Sequence, residues 1–292
     1  MSCSCAEMRS DQATGEYYIY DVNNGQATLL KYGVIDLALT PSTIQIPPSI
    51  DGIPLCSIGE NAFNCFMLNN GKAAFDPTVA RSLVLPEGMT TLLPYAFNGA
   101  YGFETIMWPS TITDAQGDFM SNCTATIHVA DQNARYVSEN GFLIDRENDE
   151  LLYASPSASE YELPQVKRFA ELSLQHYQPK TITFPETTQF ISSYTCYDNT
   201  LTQTVIIPES VQVIEDEAFY AMAADRFIIK DGVKKIGAYA FYNTEISEIS
   251  IPDSVEFLGY AFCDDNVVMK NDIGGHCHCE TEDEYLLRTG DL

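Results

Sequence analysis

One spacing recurs along most of this 292-residue chain. A short apolar strand ends, usually at a proline, and an Ala-Phe-like pair follows some ten or eleven residues later. Three clear copies read V-I-I-P-E-S-V-Q-V-I-E-D-E-A-F (Val205 to Phe219), F-I-I-K-D-G-V-K-K-I-G-A-Y-A-F (Phe227 to Phe241) and I-S-I-P-D-S-V-E-F-L-G-Y-A-F (Ile249 to Phe262). Pro208, Lys230 and Pro252 stand 22 residues apart. A fixed period of this size predicts a solenoid, in which each unit buries its apolar face only against its neighbours.

The period sorts the side chains. Strands end at Pro47, Pro86, Pro109, Ala130, Pro164, Pro185, Pro208, Lys230 and Pro252. Proline stops a strand because it lacks an N–H for the ladder. The residues one and three before it are apolar almost throughout, as in Ile44 and Ile46, Tyr161 and Leu163, or Val205 and Ile207. Alternation with period two points both to one face, the expected core. The aromatic or small pairs close each coil at Phe63, Phe97, Phe119, Leu174, Cys196, Phe219, Phe241 and Phe262. The glycines of Ile58-Gly59, Ile236-Gly237 and Leu258-Gly259 suit a tight corner before these knobs.

The residues two and four before the proline face the other way. The first of these rows contains Val84, Met107, His128, Glu162, Thr183, Ile206 and Ile228; the second contains Glu160, Thr181, Thr204 and Arg226. Threonine on such a row needs only its fitness for an exposed strand. Val84 beside Met107, and Ile206 beside Ile228, would be apolar neighbours open to solvent, and contiguous exposed apolar groups mark interaction sites. The expected binding residues are therefore Val84, Met107, His128, Thr183, Thr204, Ile206, Arg226 and Ile228.

Residues 1–15 are polar and expected to fray. Two strand-like runs flank Asn23-Asn24-Gly25 and predict a hairpin within a cap spanning 16–40. About nine repeats fill 41–263 as one domain, followed by an acidic tail over 264–292. The period is interrupted by a bulged loop at 49–57, an extra loop at 64–80 and a hairpin insert near 131–159 with Asn140-Gly141 close to its turn. The tail is read as a solvated acidic segment, with a short helix over the last coil as the alternative.

Forty-one Asp and Glu against 15 Lys and Arg give a formal charge of −26. Such a surface repels phosphate backbones and anionic membranes, so nucleic acid is not an expected partner. No stretch has the roughly 20 apolar residues of a membrane helix, so membrane insertion is not expected. The N-terminus lacks a basic start and an apolar run, which points to the cytoplasm unless a leader is missing. The nine cysteines are odd in number and scattered, with Cys56, Cys65, Cys123, Cys196 and Cys263 inside repeats, as buried thiols acting as small hydrophobes would be.

His276, Cys277, His278 and Cys279 form an H-C-H-C run whose N and S donors suit zinc or copper. Adjacent ligands in an extended tail do not readily close one tetrahedron, so they are candidates only and no metal or other cofactor is expected. His128 and His176 lack a recognisable nucleophile context. G-x-S-x-G, H-E-x-x-H and phosphate-cradling loops do not occur. The chain is not expected to be an enzyme.

The repeated phrase strand-Pro-x-x-V-x-x-I-G-x-x-A-F resembles the leucine-rich repeats of the Treponema pallidum type, also called BspA-like repeats. The insert N-x-x-Y-x-S-x-N-G-x-L, the tyrosine-rich opening hairpin and I-D-G-I-P-x-x-S-I-G resemble the same family, so the likeness covers residues 16 to 263. It implies a right-handed solenoid with a concave parallel β-sheet, short turns or 3-10 segments on the convex side, and attachment to protein or surface rather than catalysis. Members of that family usually carry an export signal, and this sequence departs from that. The expected function is a non-catalytic module binding a protein or glycan through the concave face. The alternatives are a self-associating homodimer, or a surface adhesin if the chain is exported.

Overall fold

A computed structural model describes residues 6–65, 74–270 and 277–289. They fall into two compact units, 1–139 and 140–292. Each is a β-solenoid.

Unit 1 opens on antiparallel strands Glu16–Asn23 and Gln26–Val34. Asn24 and Gly25 join them with φ of 52° and 76°, the left-handed pair that a two-residue hairpin turn requires. Met8, in the segment expected to fray, lies in the strand Glu7–Ser10, which pairs antiparallel with Tyr17–Tyr20. The cap is therefore three-stranded. Beyond it, Thr43–Gln45, Ser82–Val84, Thr105–Trp108 and Thr126–Val129 form a parallel sheet. In the bulged loop at 49–57, Ser49–Ile50 folds back antiparallel on Ile53–Pro54, with Asp51 and Gly52 at φ of 52° and 79°. Much of the loop expected at 64–80, including Asn69, Asn70 and Gly71, lies outside the described residues.

Unit 2 contains Thr181–Thr183, Thr204–Ile207 and Arg226–Ile229 in one parallel sheet, and Glu248–Ile249 paired with Val268–Met269. The other side of each coil differs from the expected turns and 3-10 segments. Two-residue strands at Arg168–Phe169, Phe190–Ile191, Val213–Ile214, Lys235–Ile236 and Phe257–Leu258 hydrogen-bond in sequence as a second parallel ladder. Glu150–Ala154 of the insert leads into it, after pairing antiparallel with Phe142–Asp145. His278–Cys279 extends it at the far end. Each rung buries one apolar residue: Phe169, Ile191, Ile214, Ile236 and Leu258.

The knobs link the coils at the corner. The Cys196 amide donates to Ala218 O (2.9 Å), Phe219 to Ala240 O (2.9 Å) and Phe241 to Phe262 O (2.7 Å). Their side chains fill the core: Leu174, Cys196, Phe219 and Phe241 are fully buried, in one cluster running from Phe142 to Leu258. Phe219 and Phe241 stack at 5.4 Å with 9° between their planes. In unit 1, Phe63 and Phe97 stack at 5.7 Å. The corner glycines serve close approach. A Cβ added at Gly237 would overlap the backbone of Asp216, and one at Gly259 that of Ala238. The left-handed turns fall instead on Leu172, Tyr194, Glu217 and Tyr239, with φ between 54° and 58°.

One repeat departs from its expected form. The residues before Pro164 form no strand; Pro156–Glu160 is a 3-10 helix and Tyr161 is 47% exposed instead of core. Leu163 alone of that pair is buried.

Because Phe219 is fully buried between neighbouring coils, Phe219→Ala should destabilise unit 2 by about 3–5 kcal/mol. Urea unfolding followed by circular dichroism measures this; a loss below about 1 kcal/mol would contradict the packing.

Candidate functional site

Parallel pairing places the expected rows in register. In unit 1, Gln45 lies beside Val84, Val84 beside Met107 and Met107 beside His128. Met107 and His128 are exposed and Val84 is partly so. The Ser82 and Thr105 hydroxyls on the next row are 2.9 Å apart. In unit 2, Thr183 pairs with Ile206 and Ile206 with Ile228, while Thr181, Thr204 and Arg226 form the row beside them. Val205 and Ile207 are buried between these outward positions. Ile228 is 37% exposed and Ile206 half-buried, so an apolar pair does face solvent.

The broken repeat shapes what lies next to this sheet. Without a strand before Pro164, a groove of about 600 Å³ opens against the sheet edge. Tyr161, Tyr177, Thr181 and Thr183 line it, with Glu160, Glu162 and Glu186 among its carboxylates. The Tyr177 hydroxyl donates to Tyr161 O (2.7 Å) and fixes one wall. The sequence reading placed Glu160 and Glu162 on a continuous strand row; they border a groove instead.

A second feature lies at the corner, on a row that the strand pattern did not single out. The residues after the knobs Cys196, Phe219 and Phe241 are Tyr197, Tyr220 and Tyr242, again 22 to 23 residues apart. Tyr197 stacks on Tyr220 at 6.0 Å and Tyr220 on Tyr242 at 6.2 Å, each with 13° between planes. Tyr194 and Tyr239, at left-handed positions, meet Tyr197 and Tyr242 edge-on. The signal was in the sequence, one residue beyond the knob.

The acidic tail packs on tyrosines beside this row. Helix Glu282–Thr289 sets Tyr285 against Tyr239 (5.5 Å) and Tyr260 (5.7 Å). Arg288 pairs with Asp216 (2.7 Å) and with the buried Glu280 (2.8 Å). Glu280 also accepts from the Tyr260 amide (2.9 Å). Burial would raise the Glu280 carboxyl, but the bonds from Arg288 and Tyr260 hold it below the usual range. The tail is thus partly docked, not merely solvated. His278 contacts the Phe257 ring at 5.6 Å and Glu284 at 3.5 Å; His276 lies outside the described residues. Among the described residues no three His, Cys, Asp or Glu side chains converge as a metal site. No helix among them is long and apolar enough to cross a membrane.

Cys56, Cys65, Cys123 and Cys196 are buried and Cys263 is half-buried. Burial pushes the Cys123 thiol up to about 12 and that of Cys263 to about 11.

Stacked coils with parallel ladders, aromatic knobs and an exposed strand face define a leucine-rich repeat solenoid. The BspA type leucine rich repeat region matches in six copies over residues 69–146 and 148–268, more than half of the chain. The chain belongs to that family, a family of generally non-catalytic repeat modules for protein interaction or surface display. No curated protein matches it significantly. Among solved structures it is similar to a leucine-rich repeat protein from Eubacterium ventriosum, at 14% identity over 93% of this chain and 97% of that one, with a TM-score of 0.44. It is also similar to a leucine rich cell surface protein from Faecalibacterium prausnitzii (13% identity, 97% and 98% coverage, TM-score 0.42). The T. pallidum leucine rich repeat protein matches at 10% identity over 97% of this chain and 95% of its own, with a TM-score of 0.36.

The Glu280 environment sets a pH dependence. A carboxyl depressed in the folded state adds stability above its unfolded value of about 4.3 and loses it as pH falls through the folded value. Ring signals of Tyr285 should therefore shift toward those of a free helix as pH falls below the ordinary carboxylate range, and Glu280→Gln should remove that step. An unchanged titration in the variant would contradict the assignment.

Proposed function

We propose that the chain is a non-catalytic binding module whose sheet face in unit 2 holds a protein segment. The observation that carries this reading is the in-register pair Ile206 and Ile228, apolar and facing solvent beside a groove at the sheet edge. Thr183 belongs to both the strand row and the groove lining. Thr204 and Arg226 flank the apolar pair with hydrogen-bond donors, one of them charged. This composition suits a partner with an apolar anchor and a polar rim. The groove's carboxylates favour a segment that is not acidic. In unit 1, Val84, Met107 and His128 offer a comparable smaller row.

A non-catalytic role also fits the chemistry of the thiols. A thiol raised to about 12 by burial, like that of Cys123, supplies almost no thiolate nucleophile near neutral pH. The second reading is self-association, with Ile206 and Ile228 buried against another copy of the chain; the same exposed pair supports it. A glycan on this face would use the threonine row more than the isoleucines.

Replacing both Ile206 and Ile228 with Asp should abolish capture of the partner recovered with the wild type from its source cells, while leaving the circular dichroism melt within a few degrees. Retained capture would show that this face is not the site. Light scattering over a range of concentrations separates the readings, since a dimer lost in the double variant supports self-association.

A further inference from the structure

The tyrosine row at the corner of unit 2 has a covered half and an open half. At the covered end the docked helix holds an arginine beside a tyrosine ring and a carboxylate. The Arg288 guanidinium lies 5.3 Å from the centre of the Tyr285 ring and pairs with Asp216 at 2.7 Å. Tyr285 in turn packs on Tyr239 and Tyr260. An arginine beside one tyrosine face and paired with a carboxylate is a favourable setting, because the ring quadrupole and the carboxylate both attract the planar cation.

The other half carries rings and carboxylates of the same kind beyond the Tyr239 and Tyr260 contacts of Tyr285. Tyr194, Tyr197 and Tyr220, with Leu172, surround a pocket of about 370 Å³, and Glu171 and Glu217 stand at its sides. Glu217 occupies the same left-handed corner position as Tyr194 and Tyr239, with φ of 58° against 54° and 55°. Burial, together with the neighbouring Glu217 carboxylate, pushes the Tyr194 hydroxyl up, so ring and carboxylate stand side by side. The period therefore sets a carboxylate where neighbouring coils carry a ring. We propose that this pocket binds an arginine side chain of a basic partner peptide, held between the tyrosine faces and the carboxylates of Glu171 and Glu217. The chain's charge of −26 draws such a peptide from solution. A neutral glycan is disfavoured, since stacking it here would desolvate carboxylates without neutralising them. The pocket includes none of Thr183, Thr204, Ile206, Arg226 or Ile228, so this site and the sheet face stand or fall separately.

The test is calorimetric titration of the full chain with acetyl-tetra-arginine amide at about 150 mM salt, where weak surface attraction is screened. One saturable site is expected. Glu171→Gln with Glu217→Gln, and separately Tyr197→Leu with Tyr220→Leu, should each weaken it about tenfold or more. Glu209→Gln with Asp231→Asn removes equal charge elsewhere in unit 2 and should change affinity less than about twofold. The conservative glutamate pair decides alone if the tyrosine pair fails to fold. An equal loss in the control, equal affinity for tetra-lysine or tetra-citrulline amide, or maltoheptaose binding lost in the same variants would each overturn the proposal.

Discussion

The fold depends on one constraint: a coil of this chain can bury its apolar face only against the coils beside it. In the regular coils the backbone enforces the stacking at several points. Strand amides bond across the main sheet, two-residue rungs bond on the opposite side, and knob amides such as those of Phe219 and Phe241 bond at the corner. The links join residues 21 to 23 apart, so equivalent residues of successive repeats lie side by side. The aromatic stack of Phe219 on Phe241 is the core expression of this rule. The tyrosine row of Tyr197, Tyr220 and Tyr242 is its surface expression.

Function follows from which rows reach solvent and where the rule is broken. Ile206 and Ile228 lie side by side because Thr204–Ile207 and Arg226–Ile229 are paired residue for residue. The groove beside them exists because the chain forms a 3-10 helix, not a strand, before Pro164. The insert brings in that helix together with the antiparallel pair Phe142–Asp145 and Glu150–Ala154. A regular array offers a uniform face; an interruption gives it a position where a partner can be registered.

The solenoid, the core positions and the outward rows were legible because each rests on a repeated spacing. Ile44, Leu83, Ile106 and Val205 are all fully buried as alternation required. Tyr161 was misplaced because its apolar character matched the strand template while the adjacent insert removed the strand. The second ladder carries only one core residue per rung, such as Ile214 or Ile236, and pairing of two-residue rungs leaves no pattern within a single repeat. The H-C-H-C run suggested ligands, whereas His278–Cys279 stands 21 residues beyond Phe257–Leu258 and forms one more rung. The corner tyrosines were legible in principle. They lie one residue beyond the knob, outside the strand-and-knob pattern, and follow only three of the knobs.

Amide hydrogen exchange of the native chain tests the stacking most directly. Coil-to-coil bonding predicts slow exchange at the knob amides of Cys196, Phe219 and Phe241 and at the Gly237 rung, recurring with the sequence period. Knob amides that exchange as fast as those of an unfolded chain, with protection confined to the main strands, would contradict the account.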